Sequence, residues 1–190
     1  WLHRMTGPLL RPGRFAAVQG GIRELPSRED IFYWHSCGPR FYFTRESSSW
    51  IASHGGIGFS TVNAALRREA WEALPFGWAP ILEDKKWQAA AQESGLEIVD
   101  LPEAAVYHSH TYDLRTLWRR AASEGFGWRL LGVRYTPAQM GRDLLHRATF
   151  ERWLGGFCDG ELTSYAERFF PWVRPLALYW GNRWSRDVAL

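Results

Sequence analysis

Residues 82–108 read LEDKKWQAAAQESGLEIVDLPEAAVYH, and this stretch decides the fold class. Helix-forming residues run from about Lys85 to Ser94, and Gly95 is the kind of residue that commonly follows the last turn of a helix. Two short strands are expected on either side of Pro102, over residues 97–99 and 104–108. A helix that alternates with strands in this way predicts an α/β chain.

The residues before this stretch extend the pattern. Residues 15–19 indicate a short buried strand that ends at Gly20-Gly21. We expect residues 24–58 to form a long, aromatic-rich loop without regular structure, because they lack sustained periodicity. Residues 63–74 suit a short helix that ends before a Pro- and Gly-rich loop over residues 75–80.

The residues after this stretch favour helices. Apolar residues recur on one face from Asp113 onward, and further helices are expected near 137–154 and 160–180. Residues 168–180 mix aromatic residues with Arg, a composition typical of an amphipathic segment at a membrane surface. The alternative is a helix that packs on the rest of the chain or on another subunit.

Composition limits the classes of function. The chain has 190 residues, 46% of them hydrophobic, which suits one domain, or a domain with a helical tail. The net charge is +3 and no dense Lys/Arg run occurs, so we expect no nucleic-acid partner. Cys37 and Cys158 are too few for a disulfide framework, which favours a cytoplasmic setting. No signal peptide and no stretch of about 18 apolar residues is present. Because the chain opens on Trp1, we expect it to begin inside a longer protein.

Several short motifs follow one another in an informative order. They are Asn63-Ala64-Ala65-Leu66-Arg67-Arg68, Leu74-Pro75-Phe76, Glu83-Asp84 and Val106-Tyr107-His108-Ser109-His110, preceded by FAAVQGG at residues 15–21. This order resembles family-2 inverting glycosyltransferases, especially the rhamnosyltransferase-like and galactofuranosyltransferase-like members, over roughly residues 1–130. The family's metal-binding Asp-x-Asp motif is absent from the chain. The resemblance implies the C-terminal, acceptor-binding half of a glycosyltransferase A-type fold in residues 1–130, with a helical extension over 131–190.

Asp84 is the candidate catalytic base. The resemblance matches it to the Asp of the family's Glu-Asp pair, and the start of a helix favours an ionised carboxylate. Aspartate is ionised at neutral pH, so it can accept the proton of an acceptor hydroxyl. Glu83 is expected to orient Asp84 or to contact acceptor hydroxyls. The alternatives are an ordinary helix N-cap for Asp84 and a solvated first-turn acid for Glu83.

His108 is the candidate metal ligand. The resemblance matches it to the family's Val-x-His, whose His completes the metal site, with Mg²⁺ or Mn²⁺ as the ion. His110 lies two residues further on, so both side chains would share one face of an extended strand. His110 is expected to contact the diphosphate or to support the metal ligands. The alternative for His108 is a histidine at a strand end, bonded to backbone.

Five further residues are candidates for substrate binding. Trp78 can stack on a sugar ring, or it can be a hydrophobic plug. Arg67 can bind phosphate, or it can cap a helix end, and the same holds for Arg68. Gln19 and Gly20 are expected to line the donor pocket, because glycine permits a close backbone approach.

The sequence thus predicts an inverting glycosyltransferase. The donor would be a nucleoside-diphosphate sugar, with dTDP-rhamnose among the donors implied by the resemblance, and the acceptor a surface glycan or a lipid-linked glycan. Such an enzyme would be cytoplasmic, at the inner face of the membrane if it makes peripheral membrane contact. The main alternative is a non-catalytic remnant of such a transferase that binds a sugar or a partner. A metal hydrolase built on His108 and His110, and a nucleic-acid binder, are less favoured because no further ligands or motifs accompany them.

Overall fold

The structure is a computed structural model that describes residues 1–23, 44–108, 112–160, 162 and 164–184. Contacts divide the chain into a sheet unit, Trp1–Arg28 with Ser49–His108, and a helical unit, Glu29–Ser48 with Ser109–Leu190. The helix that follows His108 is therefore grouped with the helical unit. The 1–130 boundary concerns a family domain, which this grouping does not test, and it stays a prediction.

The helices and strands follow in this order along the described residues: α1 (Leu2–Thr6), β1 (Phe15–Arg23), α2 (Arg45–Ser53), β2 (Ala64–Leu66), α3 (Arg68–Ala73), α4 (Glu83–Glu93), β3 (Glu97–Tyr107), α5 (Leu114–Leu130), α6 (Pro137–Leu144), α7 (Arg147–Cys158) and α8 (Tyr165–Trp184). Short 3₁₀ helices cover Gly7–Leu10 and Thr61–Asn63. The prediction of an α/β chain is confirmed.

The sheet has three strands in the order β2-β1-β3. β1 pairs antiparallel with β2, where Ala17 lies opposite Leu66, and parallel with β3, where Val18 lies opposite Val99. The register between β1 and β3 shifts between Gly20 and Ile22. Pro102 lies at this irregularity in β3, and β3 pairs on only one side among the described residues. Proline is accommodated there because it has no N–H to donate to the hydrogen bonds between strands.

Apolar side chains cover both faces of β1. Ala17 on β1 packs with Phe59 and Trp87, all fully buried or nearly so. Val18 packs with Met5 and Ala104. Burial of each large side chain contributes about 1.5–3 kcal/mol, so the Trp87 cluster fixes α4 against the sheet.

Four predicted elements of the sheet unit differ from the structure. The helix expected over residues 63–74 is wrong at its start, because Ala64–Leu66 pairs with β1 as a strand and the helix begins only at Arg68. The two short strands expected around Pro102 form one strand, Glu97–Tyr107. The strand from Phe15 continues through Gly20-Gly21 to Arg23, because β3 supplies partners beyond the glycines.

The loop expected over residues 24–58 is wrong for Arg45–Ser53, which forms α2. The Thr44 hydroxyl accepts a hydrogen bond from the Ser47 backbone N–H at 3.1 Å, as a helix-capping side chain does. Residues 24–43 of the expected loop lie outside the described residues.

α5 begins, as predicted, after Asp113, which forms a capping box with Thr116. Hydrogen bonds from the Thr116 side chain and backbone lower the pKa of the Asp113 carboxyl. α5 packs against α8, which buries Ala166, Phe170, Ala177 and Leu178. The predicted tail helices are confirmed in outline, although the first of them is interrupted between Leu144 and Arg147. No helix among the described residues is both long and apolar enough to cross a bilayer.

Candidate functional site

The start of α4 carries an unusual backbone conformation. Leu82, the residue before Glu83, has φ of 59° and lies in the left-handed region, although it is not glycine. This conformation costs a branched residue on the order of 1–2 kcal/mol. Leu82 is also the N-cap and supplies no side-chain hydrogen bond to the first turn. Backbone strain of this kind clusters at functional sites, which directs attention to Glu83 and Asp84.

Asp84 lies in the first turn of α4 beside a buried lysine. Its side chain is 14% exposed, and one carboxylate oxygen accepts the Lys85 backbone N–H at 2.7 Å. The Lys85 ammonium lies 3.5 Å from the other oxygen and donates to the carbonyl of Phe59. Asp84 is not the N-cap, so that alternative is excluded. Lys85 is only 4% exposed, so its ammonium attracts the Asp84 carboxylate in surroundings that contain little water. This attraction holds the orientation of the carboxylate.

Glu83 and Trp78 are two of the solvent-accessible residues near Asp84 in the sequence. Glu83 is partly exposed, and its side chain makes no hydrogen bond or ion pair to any residue that the structure describes. Trp78 exposes 80% of its surface in the loop before α4, so it does not act as a hydrophobic plug. Its carbonyl accepts a hydrogen bond from the Lys86 ammonium at 3.4 Å. Both side chains are accessible to a ligand in solution.

Gln19 has its amide engaged inside the fold. Its nitrogen donates to the carbonyls of Gly20 and Asn63, at 2.8 and 3.1 Å, and its oxygen accepts the Ser60 N–H at 2.6 Å. Gly20 is required by packing, since an added Cβ would overlap the Asn63 amide and lie 2.5 Å from the Ala104 carbonyl oxygen. Both residues thus have a structural role in the sheet unit, and their place in a donor pocket stays a prediction.

Arg67 also makes structural contacts. Its guanidinium donates to the carbonyl oxygens of Phe15 and Arg11, at 2.9 and 2.8 Å. These bonds fasten the start of α3 to the start of β1. Arg68, in contrast, is exposed and pairs with Glu72 one turn along the same helix, at 2.8 Å. Neither arginine is placed beside Asp84 by these contacts.

Asn63 is a buried residue whose role the sequence patterns do not reveal. Its amide nitrogen donates to the carbonyls of Gly21 and Ala104, at 2.7 and 2.8 Å. Its oxygen accepts the Trp1 indole N–H at 3.2 Å. Asn63 therefore joins β1 to β3 at the register shift, where the strands lack regular backbone pairing. In the sequence, Asn63 stands at the start of a predicted helix, and that position does not indicate a role in joining two strands.

We expect Asn63→Leu to lower the free energy of unfolding by about 3 kcal/mol, because it removes two buried donors and leaves their carbonyl partners without them. Urea denaturation monitored by circular dichroism measures this change. Thr61→Ala is the control, since Thr61 is exposed and should shift stability by no more than about 0.5 kcal/mol. Equal stability of the two variants would show that the Asn63 network contributes nothing.

His108 and the first turn of α4 are each linked by hydrogen bonds to a different part of the sheet unit. The Lys85 ammonium donates to the Phe59 carbonyl, and the N–H of the adjacent Ser60 donates to the Gln19 side chain in the middle of β1. The His108 backbone N–H donates to the Arg23 carbonyl, at the far end of β1.

The metal site predicted from His108 stays a prediction. Among the described residues, no group of three or more His, Cys, Asp or Glu is placed to hold a metal ion. His110 lies outside the described residues. The Asp-x-Asp motif that would supply further ligands by resemblance is absent from the chain, so the described residues do not test the metal site.

Comparison of the chain with protein-family models, with curated proteins and with solved structures finds no match. The resemblance to glycosyltransferases therefore rests on the sequence motifs alone, and the candidate site rests on the geometry at the start of α4.

Proposed function

We propose that this chain contributes the acceptor-binding half of an inverting, nucleotide-sugar-dependent glycosyltransferase, with Asp84 as the general base. The observation that carries the proposal is the left-handed Leu82, which presents Glu83 and Asp84 at the head of α4. The strain at Leu82 is a cost that a purely structural helix start could avoid with glycine or a polar N-cap. The order of the sequence motifs around Glu83-Asp84 supports the same function.

The proposed reaction is a single displacement. The acceptor hydroxyl oxygen forms a bond to the anomeric carbon of the sugar while the bond from that carbon to the diphosphate oxygen breaks. Asp84 takes the hydroxyl proton, and the electron pair of the broken bond leaves with the nucleoside diphosphate. Attack opposite the leaving group inverts the anomeric configuration.

The substrates in this proposal are a nucleoside-diphosphate sugar, with rhamnose among the sugars, and a surface or lipid-linked glycan. Glu83, which is accessible and carries no hydrogen bond among the described residues, accepts hydrogen bonds from acceptor hydroxyls. Trp78 offers an exposed indole face for the apolar side of a sugar ring. Together they orient the acceptor toward Asp84.

The test uses the full-length protein that contains this chain, a panel of nucleoside-diphosphate sugars and glycan acceptors. We expect acceptor-dependent release of nucleoside diphosphate with one of the donors. Nuclear magnetic resonance of the product should show the anomeric configuration opposite to that of the donor. A product of retained configuration, or no release with any donor, would contradict the proposal.

A second function, glycan binding without turnover, is favoured by a specific observation. Gln19, Gly20 and Arg67, the residues expected to contact the donor, are engaged in contacts within the fold. Trp78 remains exposed, so an acceptor-type glycan still has a surface to bind. Acceptor binding without nucleotide release would favour this function over transfer.

We expect Trp78→Ala to weaken glycan binding about fivefold, since loss of one aromatic stacking contact is worth about 1 kcal/mol. Isothermal titration calorimetry with acceptor oligosaccharides measures the affinity. Trp71→Ala is the matched control, because Trp71 lies on α3 and is 45% exposed. If both variants lose affinity equally, or neither does, Trp78 is not the stacking residue.

A further inference from the structure

The outward side of α8 forms an apolar face that the core of the helical unit does not use. At about 100° per residue, eight side chains fall within roughly a third of the helix circumference. This outer face consists of Tyr165, Arg168, Phe169, Trp172, Leu176, Tyr179, Trp180 and Arg183. Solvent reaches 70% of Tyr165, 47% of Phe169, 41% of Leu176 and 52% of Trp180. Exposed apolar residues that are contiguous in this way indicate an interaction surface.

Aromatic side chains of α7 extend the outer face and hold it in place. The ring of Trp153 lies 5.1 Å from that of Trp172 and 5.4 Å from that of Phe157. Phe150 also lies 5.5 Å from Trp172, and Phe169 lies 6.4 Å from it. Phe157 is 52% exposed, so the surface is continuous from α7 to α8. These edge and stacked contacts preorganise the surface before any partner binds.

The charges on this surface identify the partner. Arg168 and Arg183 are the charged residues of the outer face, and it contains no Asp or Glu. The carboxylate of Glu167, the acidic residue of α8, is buried on another side of the helix and accepts the Ser164 N–H at 2.7 Å. Tyr and Trp favour the boundary between lipid headgroups and acyl chains, and arginine complements anionic headgroups. A face with aromatic residues and arginine, but no acid, fits an anionic lipid surface.

We propose that the outer face of α8, together with the adjoining aromatic residues of α7, binds the surface of a membrane that contains anionic lipids. α8 then lies in the plane of the interface, with its aromatic and Leu side chains among the upper acyl chains and its arginines among the headgroups. This inference depends on the helical unit alone and holds whether or not the sheet unit transfers a sugar.

The experiment measures co-sedimentation of the full chain with large unilamellar vesicles. One set contains phosphatidylcholine alone, and the other contains phosphatidylcholine with one part in three of phosphatidylglycerol. We expect binding to the anionic vesicles, weaker binding to the neutral ones, and a decrease as salt rises from 0.1 M to 1 M, where the Debye length falls from about 10 to about 3 Å.

A triple variant tests the outer face directly. Burial of half of each side chain in the membrane should raise the partition coefficient about fivefold. Phe169→Ser, Leu176→Ser and Trp180→Ser together should therefore lower the partition coefficient on the order of a hundredfold. The matched control carries Leu114→Ser, Leu130→Ser and Leu145→Ser, at exposed positions outside α7 and α8 of the same unit. The control should bind as the unchanged chain does. Circular dichroism and thermal melting check the fold of both variants.

Three outcomes would overturn the proposal. The unchanged chain does not bind anionic vesicles, or it binds them with no dependence on lipid charge and salt. The triple variant binds as strongly as the control. The unchanged chain does not bind vesicles but forms a dimer in solution, and the triple variant does not form this dimer. That result would make the outer face a contact between two copies. The first outcome needs no variant, so the proposal is testable even if the triple variant does not fold.

Discussion

Gly181→Ala should lower the free energy of unfolding by about 3 kcal/mol or more, because the new methyl group has no space. A Cβ at Gly181 would overlap the carbonyl oxygen of Ala122 and lie 2.5 Å from its carbonyl carbon. These atoms belong to the backbone of α5, so no rotation of a side chain relieves the clash. The helices α5 and α8 would have to separate.

Separation of the two helices would break further contacts. An added Cβ at Gly125 would likewise overlap the Leu178 carbonyl oxygen, which shows that the helices touch backbone to backbone at two points. Asn182, 4% exposed, donates to the carbonyls of Gly125 and Val133 at 2.9 Å each. Its oxygen accepts the Tyr135 N–H at 2.9 Å. These buried bonds lengthen if α8 moves away, and each lost bond adds about 1 kcal/mol to the cost.

Chemical denaturation of Gly181→Ala beside Gly155→Ala separates crowding from helix propensity. Gly155 lies inside α7 with no atom within 4 Å of an added Cβ, so alanine there should stabilise the chain by up to about 1 kcal/mol. The two variants make the same chemical change in helices of the same unit, and their effects should have opposite sign. If Gly181→Ala is as stable as Gly155→Ala, the close approach of α5 and α8 is not present in solution.

The sequence predicts the elements whose formation depends on local signals. Gly95 ends α4 and Asp113 begins α5 where the patterns indicate, because caps act within a few residues. Ala64–Leu66 was expected to be helical, since Ala and Leu are strong helix formers. This segment is a strand because its backbone pairs with that of β1, which lies far away in the sequence.

The candidate site was predictable only in part, for a related reason. Motif order selects Asp84, and the structure places it in the first turn of α4 as expected. No local signal marks Leu82 as left-handed, because glycine or asparagine is the usual residue there. Gln19 and Arg67 have the chemistry of ligand-binding side chains, and only the folded chain shows that carbonyls of the protein itself are their partners.

Asp84→Asn should reduce sugar transfer by a factor of about 10² to 10⁴, the usual worth of general-base assistance. The amide can still accept the Lys85 backbone N–H that Asp84 binds at 2.7 Å, so the side chain keeps its orientation. It has no negative charge and takes no proton from the acceptor hydroxyl. The measurement is the initial rate of nucleoside-diphosphate release by the full-length protein at saturating donor and acceptor, with the fold checked by thermal melting.

The control for Asp84→Asn must remove the same charge from the same helix without touching the site. Glu93→Gln does so, because Glu93 is exposed in the last turn of α4 and its side chain makes no hydrogen bond or ion pair with any described residue. It should leave the rate unchanged.

Asp84→Asn also weakens attraction to the buried Lys85 ammonium 3.5 Å away, so its melting temperature should fall while that of Glu93→Gln does not. A lower melting temperature with a full transfer rate would make Asp84 a structural partner of Lys85. The base would then have to be sought elsewhere, with Glu83, accessible at the head of the same helix, as the first residue to test.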